Sequence, residues 1–305
     1  MSLKHALAKR VSGLLGPALN LGTRITKKNS GLTVFLFHEV TDNPSEFLKQ
    51  SGMWVSRAVF EKQVNWILKN FDVVPIGRIL DSNSLPRNAA VITFDDAWAG
   101  MFNAIEEFML PRGIPVCIFV NFGTIITNVD VCAGEKYLRE KHPEILFKDH
   151  DVTSAIHQLP EEIFNDFLEY QGLVAEMSQI QKIAKNSRIT ISNHLYNHYD
   201  AKKISDTQFT EEFRQNKIYI EQFPNNSDTR FFAFPFGTPG VNFAENHLDI
   251  LQNEDVMISF SGTSRRLSQF YRGEKLIPRI HFSPLDSVEG NCWWACFKNQ
   301  ILGRP

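Results

Sequence analysis

The sequence lacks the features that mark several classes of protein. Its 305 residues contain only 4 cysteines, which are too few and too scattered for a disulfide framework. No apolar run approaches the roughly 18 residues of a membrane span, and charged residues, glycines and a proline interrupt the stretch where a signal peptide needs continuous apolar residues. The net charge of −2 argues against a nucleic-acid-binding surface over the whole protein. We therefore expect a cytoplasmic protein with free thiols and no nucleic-acid partner.

The residues that are present are those of an ordinary globular protein. Hydrophobic residues make up 43% of the chain and charged residues 22%. The length suits one large α/β domain or two small ones. The 25 phenylalanines suit a thick core with aromatic clefts. Neither internal repeats nor low-complexity tracts are present.

The N-terminal segment differs from the rest in charge. Residues 2–20 carry apolar side chains at spacings of three and four, which predicts an amphipathic helix. No acidic residue occurs before Glu39, whereas several basic ones do. Such a helix can pack its apolar face on its own domain, or it can lie on an anionic membrane surface. We expect residues 1–30 to form an N-terminal extension and residues 31–305 a single barrel domain.

Two adjacent carboxylates stand at the centre of the chain. Residues 91–94 read as a buried strand of a parallel sheet, and Asp95 and Asp96 follow directly. Neighbouring carboxylates repel each other and resist burial, so they are costly for structure alone. A bound cation would remove that cost, with one carboxylate as ligand and the other free as a base. The alternative interpretation is that the pair caps the helix that follows.

Strand and helix patterns alternate along the chain. Strands are predicted at residues 32–37, 71–74, 91–94, 115–122, 188–192, 231–236, 256–260 and 276–282, with helices at 59–69, 101–110, 210–222 and 243–252 between them. This order predicts a parallel sheet or barrel. Residues 130–188 break the rhythm with charged helical patterns, and we interpret them as a helical insertion between barrel strands.

Histidines follow two of the predicted strands. His194 and His198 come after the strand at 188–192, and on a helical turn their spacing would place both imidazoles on one face. Two imidazoles and one carboxylate leave a fourth zinc position open, which is the pattern of a catalytic site. His38 ends the strand at 32–37 in the same way. Because the ends of parallel strands meet at one edge, these groups should lie close together.

In their order along the chain, these motifs resemble those of the polysaccharide deacetylases of the NodB-homology group. The resemblance covers about residues 32–282 and rests on Thr93-Phe94-Asp95-Asp96, His194-xxx-His198, Pro235-Phe236-Gly237, the opening Phe37-His38-Glu39 and the segment Pro278-Arg279-Ile280. It implies a distorted (β/α)7 barrel and a metal-dependent removal of an N-acyl group from an amino sugar.

The resemblance also implies roles for individual residues. Asp95 becomes the general base, and Asp96, His194 and His198 become the metal ligands. The metal is expected to be Zn²⁺, although Co²⁺ and Ni²⁺ accept the same ligands. The other implied positions concern the substrate: Pro235, Phe236 and Gly237 form a groove wall with the Phe236 N–H as oxyanion donor, and Trp98 contacts the substrate.

Four departures from the family pattern affect this assignment, the mildest being Ala97 where the family usually has Gly. Leu195 stands where Ser or Thr is usual, so a hydrogen bond behind the ligands is absent. Arg230 is not at the usual spacing, so the arginine that orients Asp95 is expected to be Arg279. The motif that carries the general acid is not evident, which leaves His281 as first candidate and His38 as second.

The leading hypothesis is therefore a metal-dependent deacetylase acting on a surface glycan or on its lipid-linked or nucleotide-linked precursor. A basic N-terminal helix would suit a lipid-linked substrate, with peripheral contact to the inner face of the membrane. One alternative is a degenerate deacetylase fold that binds a glycan or a partner enzyme without catalysis. Another is a metal-dependent hydrolase of a non-sugar amide or an ester.

Overall fold

A computed structural model of the chain describes residues 31–81, 85–145, 152–263 and 274–282. Its strands are β1 (Gly31–Phe37), β2 (Glu39–Val40), β3 (Trp54–Val55), β4 (Asp72–Val73), β5 (Asn88–Asp95), β6 (Val116–Val120), β7 (Ile189–Asn193), β8 (Ser227–Ala233), β9 (Ile258–Ser261), β10 (Leu276–Pro278) and β11 (Ile280–His281). The main sheet runs β10-β9-β8-β7-β6-β5-β1-β11, with β4 paired to β5. Each of these pairs is parallel, as the alternating strand and helix patterns predict.

One short segment joins the two ends of this sheet. The predicted strand at residues 276–282 is divided at Arg279, so that β10 pairs with β9 and β11 pairs with β1. The register places Pro278 beside Ser261 and Ile280 beside Phe35. The sheet is thereby nearly closed into a distorted (β/α)7 barrel, and the predicted fold class is confirmed. Arg279 lies at the seam.

The alternation of side chains along β5 determines where Asp95 points. Ala89 and Val91 belong to the apolar cluster that fills the barrel, whereas Ile92 and Phe94 pack in the cluster between the sheet and its helices. Successive residues of a strand face opposite sides. Asp95 is therefore on the same face as Val91, at the carboxyl end of the barrel interior.

Helices cover the outside of the barrel. They are α1 (Glu46–Ser51), α2 (Arg57–Asn70), α3 (Ala99–Ala104), α4 (Phe122–Thr127), α5 (Val131–Lys141), α6 (Val152–His157), α7 (Glu161–Gln171), α8 (Met177–Ile183), α9 (Asp206–Ile220) and α10 (Glu245–Asn253). The single helix predicted at residues 101–110 is instead α3 followed by a π-helical turn, Ile105–Met109, and a 3₁₀ turn. Gly113 ends it in the left-handed conformation, with φ 66°.

Helices α4 to α8 all lie between β6 and β7, where a regular barrel has one crossover helix. Apolar side chains of α5, α6 and α7, among them Tyr137, Phe167 and Tyr170, form a separate cluster that also includes Trp98. Because Trp98 is only two residues after Asp96, this cluster reaches the carboxyl end of the barrel. We propose that residues 130–188 form an insertion into the barrel domain.

The predicted amphipathic helix at residues 2–20 lies outside the described residues. Within the described part of the chain, no helix is long and apolar enough to cross a membrane. Cys117 is a buried free thiol in β6, as its apolar neighbours predict.

Candidate metal and catalytic site

Asp95 is buried against Arg279. The Arg279 guanidinium donates to both carboxylate oxygens, Nη1 to Oδ1 at 2.6 Å and Nη2 to Oδ2 at 2.5 Å. Arg279 is only 1% exposed, and Phe119 and Phe260 flank its charged end. Burial alone would raise the pKa of Asp95, but the Arg279 charge and its hydrogen bonds hold it below its usual range. Asp95 is therefore an ionised carboxylate in a fixed orientation.

Asp96 has a left-handed backbone conformation, with φ 76°. A residue with a side chain rarely adopts this conformation, which costs on the order of 1–3 kcal/mol. The Trp98 indole N–H donates to Oδ2 at 3.1 Å. The other oxygen, Oδ1, is buried and accepts no hydrogen bond within the described chain. His198 Nε2 lies 3.2 Å and His194 Nε2 3.5 Å from this oxygen.

The two histidines do not lie on a helical turn, so that expectation from their spacing was wrong. Residues 194–198 form an irregular loop in which Leu195 and His198 have φ 61° and 60°. The loop nevertheless brings the rings to 4.8 Å between centroids. Leu195 is fully buried in an aromatic cluster of the core, so its side chain anchors the loop where the family has a hydroxyl.

Polar side chains of α9 and a glycine of α4 hold the loop in this shape. Glu212 accepts the backbone N–H of Asn197 at 2.7 Å and its side-chain amide at 2.8 Å. The Gly123 N–H donates to the Tyr196 carbonyl at 2.8 Å. A Cβ on Gly123 would lie 2.5 Å from that carbonyl oxygen, so only glycine allows this approach. The loop conformation thus depends on contacts that are distant in sequence.

The far nitrogen of each histidine has its own partner. His194 Nδ1 lies 2.8 Å from the Ala233 carbonyl, and His198 Nδ1 lies 3.3 Å from the Cys132 thiol. Both Nε2 atoms therefore face Asp96. A carbonyl can only accept, so His194 carries a proton on Nδ1. The carboxylates of Asp95 and Asp96 raise the pKa of His194 in spite of its burial, and the ring in its neutral form presents a lone pair on Nε2.

These atoms fit a divalent metal. Two imidazole nitrogens and the Asp96 oxygen that has no hydrogen-bond partner in the described part of the chain lie within 4.8 Å of one another, and all three residues are buried. Burial would raise the pKa of Asp96, but the neighbouring histidines hold it well below its usual range. Burial lowers the pKa of His198 to about 4. An ionised carboxylate beside a neutral imidazole is the protonation state that a metal requires.

His38 and His281 contact each other at the same end of the barrel. Their ring centroids are 4.9 Å apart, and the rings are nearly perpendicular. His38 is buried, and its Nδ1 has no hydrogen-bond partner in the described chain. Burial lowers the pKa of His38 in spite of the nearby charges of Asp96 and Asp95. His38 is therefore a neutral imidazole close to both carboxylates.

The segment Pro235-Phe236-Gly237 lies beside the histidine loop. The Phe236 ring is 5.2 Å from the His198 ring and 43% exposed, so it forms part of the site's surface. Phe236 and Gly237 have φ 59° and 64°. A Cβ on Gly237 would collide with the backbone of Gly262 at 2.3 Å, which explains the glycine.

A pocket of about 450 Å³ opens at these residues. It combines side chains of the barrel with others from the helices between β6 and β7. Its lining includes Asp96, Trp98, His198, Phe236, Cys132 and Lys136. The pocket therefore gives access to Asp96 and His198 beside the exposed Phe236 ring.

The helix-capping interpretation of Asp95 and Asp96 was wrong. Helix α3 begins after Trp98 without a side-chain cap from either carboxylate. Glu39 takes that role from another strand and accepts the Gly100 and Met101 N–H groups at 3.1 and 3.2 Å. This capping role of Glu39 was not predicted from the sequence, where Glu39 was noted only as the residue after His38. Arg230 pairs with Asp228 instead of with Asp95.

Glu39 should make stability fall as the pH rises. Its burial raises its pKa to about 7, from an ordinary value of 4.5. Between these values the folded protein keeps a proton that the unfolded chain has lost, so the free energy of unfolding falls, by up to about 3 kcal/mol at roughly 1.4 kcal/mol per pKa unit. Above pH 7 the effect is complete. Glu39→Gln should flatten this slope, as measured by urea unfolding from pH 4.5 to 8.

The same substitution at exposed Glu162 is the control and should leave the slope unchanged. Glutamine has one acceptor oxygen for two N–H groups, so Glu39→Gln lowers stability by a constant amount that does not affect the comparison of slopes. Parallel pH curves for wild type and Glu39→Gln would contradict this prediction.

The comparisons with known proteins agree with this geometry. A sequence model of the polysaccharide deacetylase family matches residues 82–253, more than half of the chain. The chain belongs to the polysaccharide deacetylase family, and the resemblance inferred from its motifs is confirmed. Comparison with curated protein sequences gives no match.

Solved structures with this fold come from several bacteria. The Streptococcus pyogenes deacetylase PplD is 15% identical, with a TM-score of 0.62 over 88% of this chain and 99% of that one. IcaB from Ammonifex degensii is 18% identical, with a TM-score of 0.60 over 87% and 97%. A de-N-acetylase from Aggregatibacter actinomycetemcomitans is 15% identical, with a TM-score of 0.57 over 84% and 96%. At these identities the likeness concerns the fold.

Proposed function

We propose that this protein is a metal-dependent hydrolase that removes an N-acetyl group from an amino sugar of a surface glycan or of its lipid-linked or nucleotide-linked precursor. The observation that carries the proposal is the three-residue cluster of Asp96, His194 and His198, with the ion pair of Asp95 and Arg279 beside it. Membership of the polysaccharide deacetylase family supports carbohydrate deacetylation.

Asp96, His194 and His198 would hold the metal, with Zn²⁺ as first choice. A bound zinc ion polarises a carbonyl and lowers the pKa of a bound water toward ~7. The three side chains supply one charge and two neutral donors, which leaves a position open. The Trp98 indole N–H donates to Asp96 Oδ2, so Oδ1 is the oxygen that would act as a ligand.

Asp95 would serve as the general base. Its Oδ2 lies 3.8 Å from His194 Nε2, which places the carboxylate beside the ligand cluster but outside it. Arg279 keeps the Asp95 carboxylate ionised, and its two hydrogen bonds fix the orientation of that carboxylate. A base held in this way can take a proton from a water beside the scissile amide, a contribution of about 10²–10⁴ in rate.

A histidine would return a proton to the departing amine. The sequence ranked His281 first and His38 second, and we propose the reverse order. His38 is buried within the influence of both carboxylates, and its Nδ1 has no hydrogen-bond partner among the described residues. The His281 ring packs against the His38 ring and would fix its orientation.

The Phe236 N–H is the proposed donor to the oxyanion. It makes no backbone hydrogen bond within the described chain, and the left-handed conformation of Phe236 directs its peptide differently from a continued strand. Such donors are worth about 10²–10³ in rate. The exposed Phe236 ring would contact an apolar face of a sugar. Trp98 is only 2% exposed, so in place of the substrate contact predicted from the resemblance we propose that it orients Asp96 through its indole N–H. One of the structural neighbours was solved in complex with acetate, the product of N-acetyl hydrolysis.

The direct test is hydrolysis of N-acetylglucosamine oligomers by the purified protein supplied with zinc. We expect acetate and free amine to appear in equal amounts. Phenyl acetate and N-acetylated amino acids, as an ester and a non-sugar amide, should be poorer substrates. A protein that binds zinc and the oligomer but releases no acetate would contradict the proposal and favour a non-catalytic glycan-binding role.

A further inference from the structure

One side chain of the helices between β6 and β7 contacts the ligand cluster directly. Cys132 lies in the first turn of α5, and its Sγ is 3.3 Å from His198 Nδ1. On the opposite side of the same ring, Nε2 is 3.2 Å from Asp96 Oδ1. The imidazole therefore spans from the thiol to the carboxylate. In the described chain, no other partner of His198 Nδ1 competes with the thiol.

The start of α5 is fixed from both sides. Asp130 caps the helix, its Oδ1 accepting the Ala133 N–H at 2.8 Å. The Asp130 N–H itself donates to the side-chain oxygen of Gln171 at 2.6 Å, at the end of α7. Asp130 and Gln171 are 2% and 0% exposed. Cys132 is thus held at a defined position, unlike a side chain on a free loop.

We infer that Cys132 is a positioning residue for His198, through which helix α5 takes part in the metal site. The inference rests on the proposed function, because it concerns the ligand role of His198. A neutral imidazole that offers Nε2 to a metal carries its proton on Nδ1. The Nδ1–H then donates to the Cys132 sulfur, which fixes both the tautomer and the orientation of the ring.

The thiol suits this role because its sulfur has lone pairs that can accept a hydrogen bond. His198 Nδ1 lies 3.3 Å from it. Sulfur is a weaker acceptor than the Ala233 carbonyl behind His194. His198 is consequently held by a weaker hydrogen bond than His194, and its orientation depends on the insertion.

Loss of the sulfur should weaken metal binding without abolishing it. In Cys132→Ala, His198 can rotate, and its proton can move to Nε2, where it competes with the metal. Changes to partners behind metal ligands typically cost 10–100-fold in affinity. Cys132→Ser keeps an acceptor, although a shorter one, and should lie between Cys132→Ala and wild type.

The experiment is zinc affinity by competition with a chromophoric chelator, measured on the full chain. We expect Cys132→Ala to bind one zinc ion about 10–100-fold more weakly and Cys132→Ser to recover part of the loss. Cys117→Ala is the matched control, because it removes a buried thiol that contacts Ser192 and no histidine. It should bind zinc like wild type. Far-ultraviolet circular dichroism of the metal-free variants confirms that each is folded.

Two further measurements separate the possible failures. His198→Ala should abolish tight zinc binding, and if it does not, the proposed site itself fails. If His198→Ala loses zinc while Cys132→Ala binds it within twofold of wild type, the site stands and the role of Cys132 is wrong. A thiolate-to-cobalt charge-transfer band in the Co²⁺ form would also overturn the inference, because Cys132 would then be a ligand.

Discussion

Replacing His194 or Asp96 by alanine should remove the bound metal and the deacetylase activity together. The three side chains lie within 4.8 Å of one another, so the loss of one leaves two donors for the ion. A catalytic zinc ion normally has three protein ligands. The ion supplies several kcal/mol of transition-state stabilisation. At 1.36 kcal/mol per tenfold, this is on the order of 10³ in rate.

Metal content by mass spectrometry and acetate release measure the two effects on the same samples. We expect about one zinc ion per wild-type chain and none in either variant. His157→Ala is the control, since His157 is an exposed histidine whose ring bonds the Thr127 carbonyl away from the site. Full zinc content in His194→Ala would show that the metal is bound elsewhere.

The sequence predicted the position of Asp95 because local rules determine it. The period of two in β5 places it on the same face as Val91, and the parallel order of strands brings it to the edge where the histidines lie. The family resemblance also implied Arg279 as the partner of Asp95, because Arg230 is not at the family's usual spacing. The structure shows why: Arg279 lies at the seam that joins the two ends of the sheet, beside β1 and β9.

The parts that sequence reasoning missed depend on contacts between distant segments. The spacing of His194 and His198 suggested a helical turn, but Glu212 of α9 and Gly123 of α4 hold an irregular loop instead. Asp95 and Asp96 are followed by a helix, which suggested capping, yet Glu39 from β2 occupies that position.

No role for Cys132 was predicted, because a single cysteine in a helical pattern cannot be distinguished from an ordinary apolar residue. Its contact with His198 joins residues 66 positions apart. The insertion could be recognised from the sequence, since it broke the alternation of strands and helices. Which of its side chains reaches the site could not, because that depends on how α5 is anchored by Asp130 and Gln171.

An Asp95→Asn protein should keep its metal and lose its turnover. Asp95 lies outside the ligand cluster, so zinc content should stay near one per chain. An amide cannot accept the proton that a carboxylate takes, and the loss of a positioned base costs about 10²–10⁴ in rate. The ratio of kcat to KM on N-acetylglucosamine oligomers should fall by this amount, mainly through kcat. Loss of zinc in this variant would mean that Asp95 is itself a ligand.

The buried partner of Asp95 provides a test that this loss is chemical. Removing one member of a buried ion pair costs about 3–5 kcal/mol, and Arg279→Met leaves the Asp95 carboxylate without its cation. Asp95→Asn retains one acceptor oxygen for Arg279 and should cost less. In the double variant no unpaired charge remains, so its stability, measured by urea unfolding of the metal-free protein, should exceed that expected from adding the two single losses. Asp95→Asn should then be inactive while more stable than Arg279→Met, which separates the role of Asp95 as a base from its role in the fold.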